Sequence, residues 1–145
     1  MCKPNSFWAS VVVVGLVVWT PPAVAEHDNW ELYMEAAKDA IETGDYVRAT
    51  EYLDTALVEA EELGPEDGRL GKTLEVLAAV YIRLDRDNDA ESLYRRLITI
   101  QENTFGPDHN HVAAALDLYA AFLRADGRSE EAEPMEVRAR AIRAN

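Results

Sequence analysis

Four short stretches of this 145-residue chain carry residue types that can do chemistry. Gly64 to Thr73, GPEDGRLGKT, closes on Gly71-Lys72-Thr73, like the end of a phosphate-binding loop. Such a loop needs its first glycine five places before the second and a strand leading into it. Glu66 stands in that first place, and its carboxylate would repel a phosphate. Asp85, Asp87 and Asp89 alternate like the start of a calcium loop. The turn glycine of that loop would fall on Ala90 and its closing glutamate on Arg96, so helix capping is the better reading and only a weak, opportunistic calcium site is left. Asp108-His109-Asn110-His111 offers nitrogen and oxygen ligands, but the one other histidine, His27, is far away in sequence, so no metal site is expected. Beyond residue 25 the serines are Ser92 and Ser129, neither with a histidine at the spacing of a nucleophile and its base. The expectation is no catalytic residue, no cofactor and no enzyme activity.

The charge balance points the same way. With 27 acidic against 14 basic side chains the net charge is −13, which disfavours nucleic acid as a partner because phosphate binding wants a basic face. The imbalance sits in residues 26–67, with 14 acidic and 2 basic side chains, while residues 68–145 hold 13 and 11. Glu51, Asp54, Glu59, Glu61, Glu62, Glu66 and Asp67 make the first part a negative block, and Arg138, Arg140 and Arg143 stand near the C-terminus. Carboxylates in such number are chiefly a solvated face. Cys2 is the single cysteine, so no intrachain disulfide framework or multi-cysteine zinc site is expected.

The elements that position these residues begin after an N-terminal segment of different character. Lys3 precedes Phe7 to Trp19, thirteen residues whose one polar member is Ser10, and Ala23-Val24-Ala25 follows. A positive start, an apolar run and small residues at the cleavage site make a secretory signal peptide, expected to be cut after Ala25. The competing reading, an uncleaved anchor, needs roughly 20 apolar residues to span a bilayer, and Pro21-Pro22 would break a continuing helix. Cleavage would leave 120 residues without cysteine, at net charge −14 once Lys3 is gone. The periplasm or the outside of the cell is the expected location.

The remainder repeats itself. Gly44, Asp85 and Gly127 stand 41 and 42 residues apart, and five places after each comes an alanine: Ala49, Ala90 and Ala132. Ala40, Tyr81 and Leu123 precede the same reference, while Leu53, Tyr94 and Glu136, then Ala56, Leu97 and Ala139, follow it. The loops match too, Leu63-Gly64-Pro65-Glu66-Asp67 against Phe105-Gly106-Pro107-Asp108-His109. Ala49, Leu53, Ala56 and Ala60 form a stripe at helical spacing. Turn residues with Asp, Asn or Ser caps separate the segments, and Asn88 with Glu91 has capping-box spacing. The pattern predicts six helices, at about 29–43, 46–62, 70–84, 88–104, 110–125 and 129–143, with repeats of about 29–68, 69–110 and 111–145 inside a domain of residues 26–145.

The stretch LAAVYIRLDRDNDAESLYRRLITIQENTFGPDHNHVAAALDLYAAFLRADGRSEEAEPMEVRARAI resembles the tetratricopeptide repeat in its longer form of about 42 residues, as in kinesin light chains. The pattern departs at Asp85, where glycine is usual, at Glu136, where a bulky residue is usual, and at Asn110, where proline is frequent. The resemblance implies an all-α solenoid of three helix-turn-helix units in a short right-handed superhelix, concave on the side of each pair's first helix. It implies a protein-interaction scaffold binding a partner peptide or protein on that face, with stack-end self-assembly as the alternative. Carried onto this chain, the face comprises Glu31, Met34, Lys38, Ile41 and Glu42, then Lys72, Glu75, Ala79 and Arg83, then Ala114, Asp117, Ala121 and Arg124. The protein is expected to be monomeric or weakly head-to-tail associated, with no stable membrane insertion once the signal is removed.

Overall fold

The computed structural model describes residues 29–144. They form six helices: α1 (Asn29–Glu42), α2 (Tyr46–Leu63), α3 (Arg69–Arg83), α4 (Asp87–Phe105), α5 (Asn110–Ala125) and α6 (Ser129–Ala144). No strand occurs among the described residues, and the architecture is an α-solenoid. The signal-peptide reading of residues 1–25 lies outside the described residues. Among those described, no helix is long and apolar enough to cross a membrane.

The helices follow from their stripes. Ala49, Leu53, Ala56 and Ala60 of α2 are completely buried, as are Ala90 of α4 and Ala132 and Ala139 of α6. Alanine at these places lets partner helices approach closely, and each helix packs chiefly on the ones before and after it. Larger side chains fill the layers between. Tyr94 meets Phe122 at 5.5 Å between ring centroids, and Leu53 packs with Leu77 and Val80. The odd-numbered helices thus share one face of the stack and the even-numbered helices the other.

The turn inside each repeat is closed by the same bond. Asp45 N donates to Ala40 O, Arg86 N to Tyr81 O and Arg128 N to Leu123 O, at 2.8, 2.9 and 2.8 Å. This long-range closure needs a left-handed residue just before it. Gly44 and Gly127 supply φ of 79° and 78°, and Asp85 adopts 56° in the same place. Aspartate is one of the few non-glycine residues that visits this region. Capping differs between the turns. The Asp45 side chain accepts from Arg48 N at 3.1 Å. The expected Asn88 cap is not formed: α4 already starts at Asp87, behind Arg86, which makes no side-chain cap. As in the other two turns, the helix begins two residues after the left-handed residue, which puts Asn88 inside α4. Asp87 and Asp89 then sit in its first turn, where the helix dipole favours anions. Arg86 Nε donates to Asp89 Oδ2 at 2.7 Å.

Candidate interaction groove

α1, α3 and α5 reach their common face with side chains spaced three and four apart, and three hollows run together along it. The first, about 490 Å3, is lined by Trp30, Glu31, Met34 and Lys38 of α1 with Lys72 and Val76 of α3. The second, about 310 Å3, lies between Ile41 and Tyr46 on one side and Glu75, Ala79 and Arg83 on the other. The third, about 470 Å3, lies between α3 and α5, over Gly71, Leu97, Gln101, Ala114 and Leu118. Lys72 borders all three hollows, and Glu75 and Leu118 border two, so the hollows are segments of one groove.

The charged groups of the groove are tied lightly. Lys38 Nζ donates to Glu35 Oε1 at 3.1 Å, and Glu35 raises the lysine's pKa. Lys72 approaches Glu75 at 3.5 Å. These are exposed pairs three residues apart on one helix, which solvent screens and which hold the side chains weakly. The Arg83 guanidinium lies 5.2 Å from the centre of the Tyr46 ring. At the mouth nearest α1, Trp30 Nε1 donates to the buried Thr73 Oγ1 at 2.8 Å, and Arg69 stands over the indole at 5.4 Å. Gln101 lies on the floor between α3 and α5, and its Oε1 is buried without a hydrogen-bond partner.

Of the residues singled out from sequence, Glu31, Met34, Lys38, Lys72, Glu75 and Arg83 line the groove, as do Ile41, Ala79 and Ala114. Glu42 is exposed at the end of α1 and Ala121 is exposed on α5, outside the three hollows. Asp117 and Arg124 are drawn toward α6. Asp117 pairs with Arg143, and Arg124 Nη2 donates to Glu136 Oε2 at 2.8 Å. Glu136 thus stands at its unusual place as a partner for an arginine rather than as packing. In α5 the lining passes to His111, Ala114 and Leu118. Sequence reasoning missed Trp30, Gly71, Val76, Gln101 and Leu118; the small Gly71, aligned with Trp30 in the preceding repeat, was the available signal.

The tempting chemical motifs resolve into structure. Asp85 stands in the repeat turn, and Asp87 and Asp89 lie in the first turn of α4. His109 Nδ1 accepts from His111 N at 3.2 Å at the start of α5, and both rings stack on Phe105 at 5.0 and 4.8 Å. Lys72 and Thr73 lie inside α3 rather than in a loop. Among the described residues, no group of three or more His, Cys, Asp or Glu side chains converges as a metal site would require.

Residues 70–145 match the family model described as tetratricopeptide repeat. The fold is similar to two crystal structures of nearly identical kinesin light chain TPR-like repeats from Podosopora anserina, the second a glutamine-to-methionine variant. Each gives a TM-score of 0.71 at 24% identity, over 79% of this chain and 55% of the other. The chain therefore spans just over half the length of these neighbours, and at that identity the likeness is one of fold. No curated relative matches the chain.

Proposed function

The chain belongs to the tetratricopeptide repeat family, and on that premise we propose that it is a protein-interaction scaffold whose groove along α1, α3 and α5 holds a peptide segment of a partner. Tetratricopeptide repeats generally mediate protein–protein interactions, and the scaffold is typically non-catalytic. The observation that carries the reading is the continuity of the groove through Lys72 and Glu75, which gives a lane running across all three repeats. Its floor is apolar apart from Gln101, and its rim carries Lys38, Lys72 and Arg83 beside Glu31, Glu35 and Glu75. Such a lane suits an extended or helical peptide with charges of both signs. We read no catalytic role into it.

The pattern of residues 1–25 supports export, so the partner belongs to the periplasm or the extracellular space on this reading. Self-assembly through stack ends is the less favoured reading. Arg138 pairs with Glu102 at 2.6 Å and Arg143 with Asp117, so two of the arginines at the basic end are already engaged within the molecule. The test is charge reversal at Lys38 and Arg83 together. The double variant should keep its helical circular dichroism and bind the captured partner at least tenfold more weakly; undiminished affinity would remove the groove from consideration.

A further inference from the structure

The tripeptide Asp-Gly-Arg occurs twice, as Asp67-Gly68-Arg69 entering α3 and as Asp126-Gly127-Arg128 before α6. In both, the aspartate and the glycine are exposed, and the glycine has positive φ, 85° and 78°. In both, the aspartate pairs with the arginine two places on, at 3.1 and 3.6 Å. An aspartate before glycine carries an electrophile and a nucleophile side by side. Its carboxyl carbon and the glycine nitrogen can close a five-membered ring, and a residue without Cβ does not shield that nitrogen. Side chains therefore do not separate the two sites, but backbone bonding does.

At Asp126 the step is held shut. Gly127 N donates to Arg124 O at 3.1 Å, and Arg128 N to Leu123 O at 2.8 Å, closing the turn after α5. Asp126 itself keeps φ −80° and ψ 3°. Ring closure turns the aspartate's ψ and takes the proton from the glycine nitrogen, so it would break both bonds. At Asp67 the glycine nitrogen meets no acceptor among the described residues, and the bond before it, Asp67 N to Gly64 O, is long at 3.4 Å. Gly68 is the N-cap of α3, where the first N–H groups of a helix lack intrahelical partners.

We propose that Asp67 is a self-modification site at which the native chain forms isoaspartate, while Asp126 is protected by its turn. The Gly68 nitrogen attacks Asp67 Cγ, and the carboxyl OH leaves with the amide proton as water. Water then opens the cyclic imide. Cleavage of the N–Cγ bond restores aspartate. Cleavage of the bond from nitrogen to the Asp67 carbonyl carbon routes the main chain through Cγ and frees the α-carboxylate. One water leaves and one enters, with no change of oxidation state.

The product reaches the end of the groove. Arg69, the partner of Asp67, stands over the Trp30 indole at 5.4 Å, and Trp30 Nε1 ties α1 to α3 through Thr73 Oγ1 at 2.8 Å. Isoaspartate moves the carboxylate onto Cα and lengthens the chain by one carbon just before α3. Arg69 is then drawn off the indole, and the hollow that Trp30 and Lys72 line is loosened, whatever the groove binds.

The test ages the full 15N-labelled chain in neutral buffer below its melting transition and maps isoaspartate by electron-transfer fragmentation of its peptides. Isoaspartate should form at Asp67 at least about fivefold faster than at Asp126, the worth of one backbone hydrogen bond. In denaturing urea the two rates should converge, because the tripeptides are identical. The Trp30 indole signal should shift in step with modification at Asp67. Asp67→Glu keeps the charge, but its ring would have six members and closes far more slowly, so that variant should hold its indole signal over the same period. Equal rates at the two sites in the native chain, or a preference for Asp67 that persists unchanged in urea, would overturn the proposed site. Drift of the indole signal at the same pace in Asp67→Glu would overturn its link to the groove.

Discussion

Where α4, α5 and α6 meet, the Glu91 carboxylate accepts from Tyr119 Oη at 2.7 Å, Arg95 Nη2 at 2.6 Å and Arg128 Nη1 at 2.7 Å. Arg128 also reaches Glu131 Oε1 at 2.7 Å and Asp126 at 3.6 Å, so the turn before α6 is stitched to both neighbouring helices. Along the groove, by contrast, Lys38 and Lys72 pair one turn along their own helices. Both regions are built from the same residue types on the same fold. In the corner the polar groups satisfy one another across helices, which fixes the helices relative to each other. In the groove, cross-helix partners are sparser, and the charged groups pair chiefly along their own helices. The polar groups that hold the stack and those of the proposed binding groove therefore occupy different places.

The sharpest way to break this contrast is to remove Glu91. Glu91→Ala takes the acceptor from the largely buried Tyr119 hydroxyl and one partner from each of two solvent-accessible guanidinium groups, and the hydroxyl alone sets an expected loss of about 1–3 kcal/mol in denaturant unfolding. Arg128 beside it, with help from the Tyr119 hydroxyl, holds the Glu91 pKa at about 2, below its ordinary 4.5. A carboxylate with a depressed folded pKa stabilises the fold fully above its unfolded pKa and loses that contribution as it protonates. The Glu91 share should thus drain between about pH 4.5 and pH 2. Acid titration of the parent should show this loss, and Glu91→Ala should flatten the profile in that window.

Next in size is the α4 packing seam. Ala90 is completely buried, whereas Asp54 is exposed on α2. Ala90→Phe should overpack and cost about 1–3 kcal/mol, while Asp54→Phe should shift the melting temperature little. Equal melting temperatures would mean the helices meet on different faces. Smallest is the repeat turn. Asp85→Gly relieves a left-handed aspartate that the other two turns assign to glycine, and should gain up to about 1 kcal/mol in thermal unfolding.

Much of the fold was legible in the sequence because it is set by local signals. The alanine and leucine stripes mark the buried faces, and Gly44, Asp85 and Gly127 mark the turns, so the six helices emerge within a residue or so of their expected ends. The α4 cap was not legible, since the conformation of Asp85, rather than the cap residues, decides where that helix begins. The first two repeats also yielded most of the groove lining. The third did not. The 42-residue register carries Glu75 onto Asp117 and Arg83 to the neighbourhood of Arg124, but spacing along the chain does not tell that Arg143 and Glu136 of α6 reach them.

The proposal that the groove along α1, α3 and α5 is the binding face is tested most directly by placing a photo-crosslinking residue in turn at Ala79, exposed in the groove, and at Val58, exposed on α2. The cross-linked partner should form at Ala79, disappear when Lys38 and Arg83 are charge-reversed in the same chain, and be absent at Val58. Cross-linking of the same partner at Val58 and not at Ala79 would contradict the account.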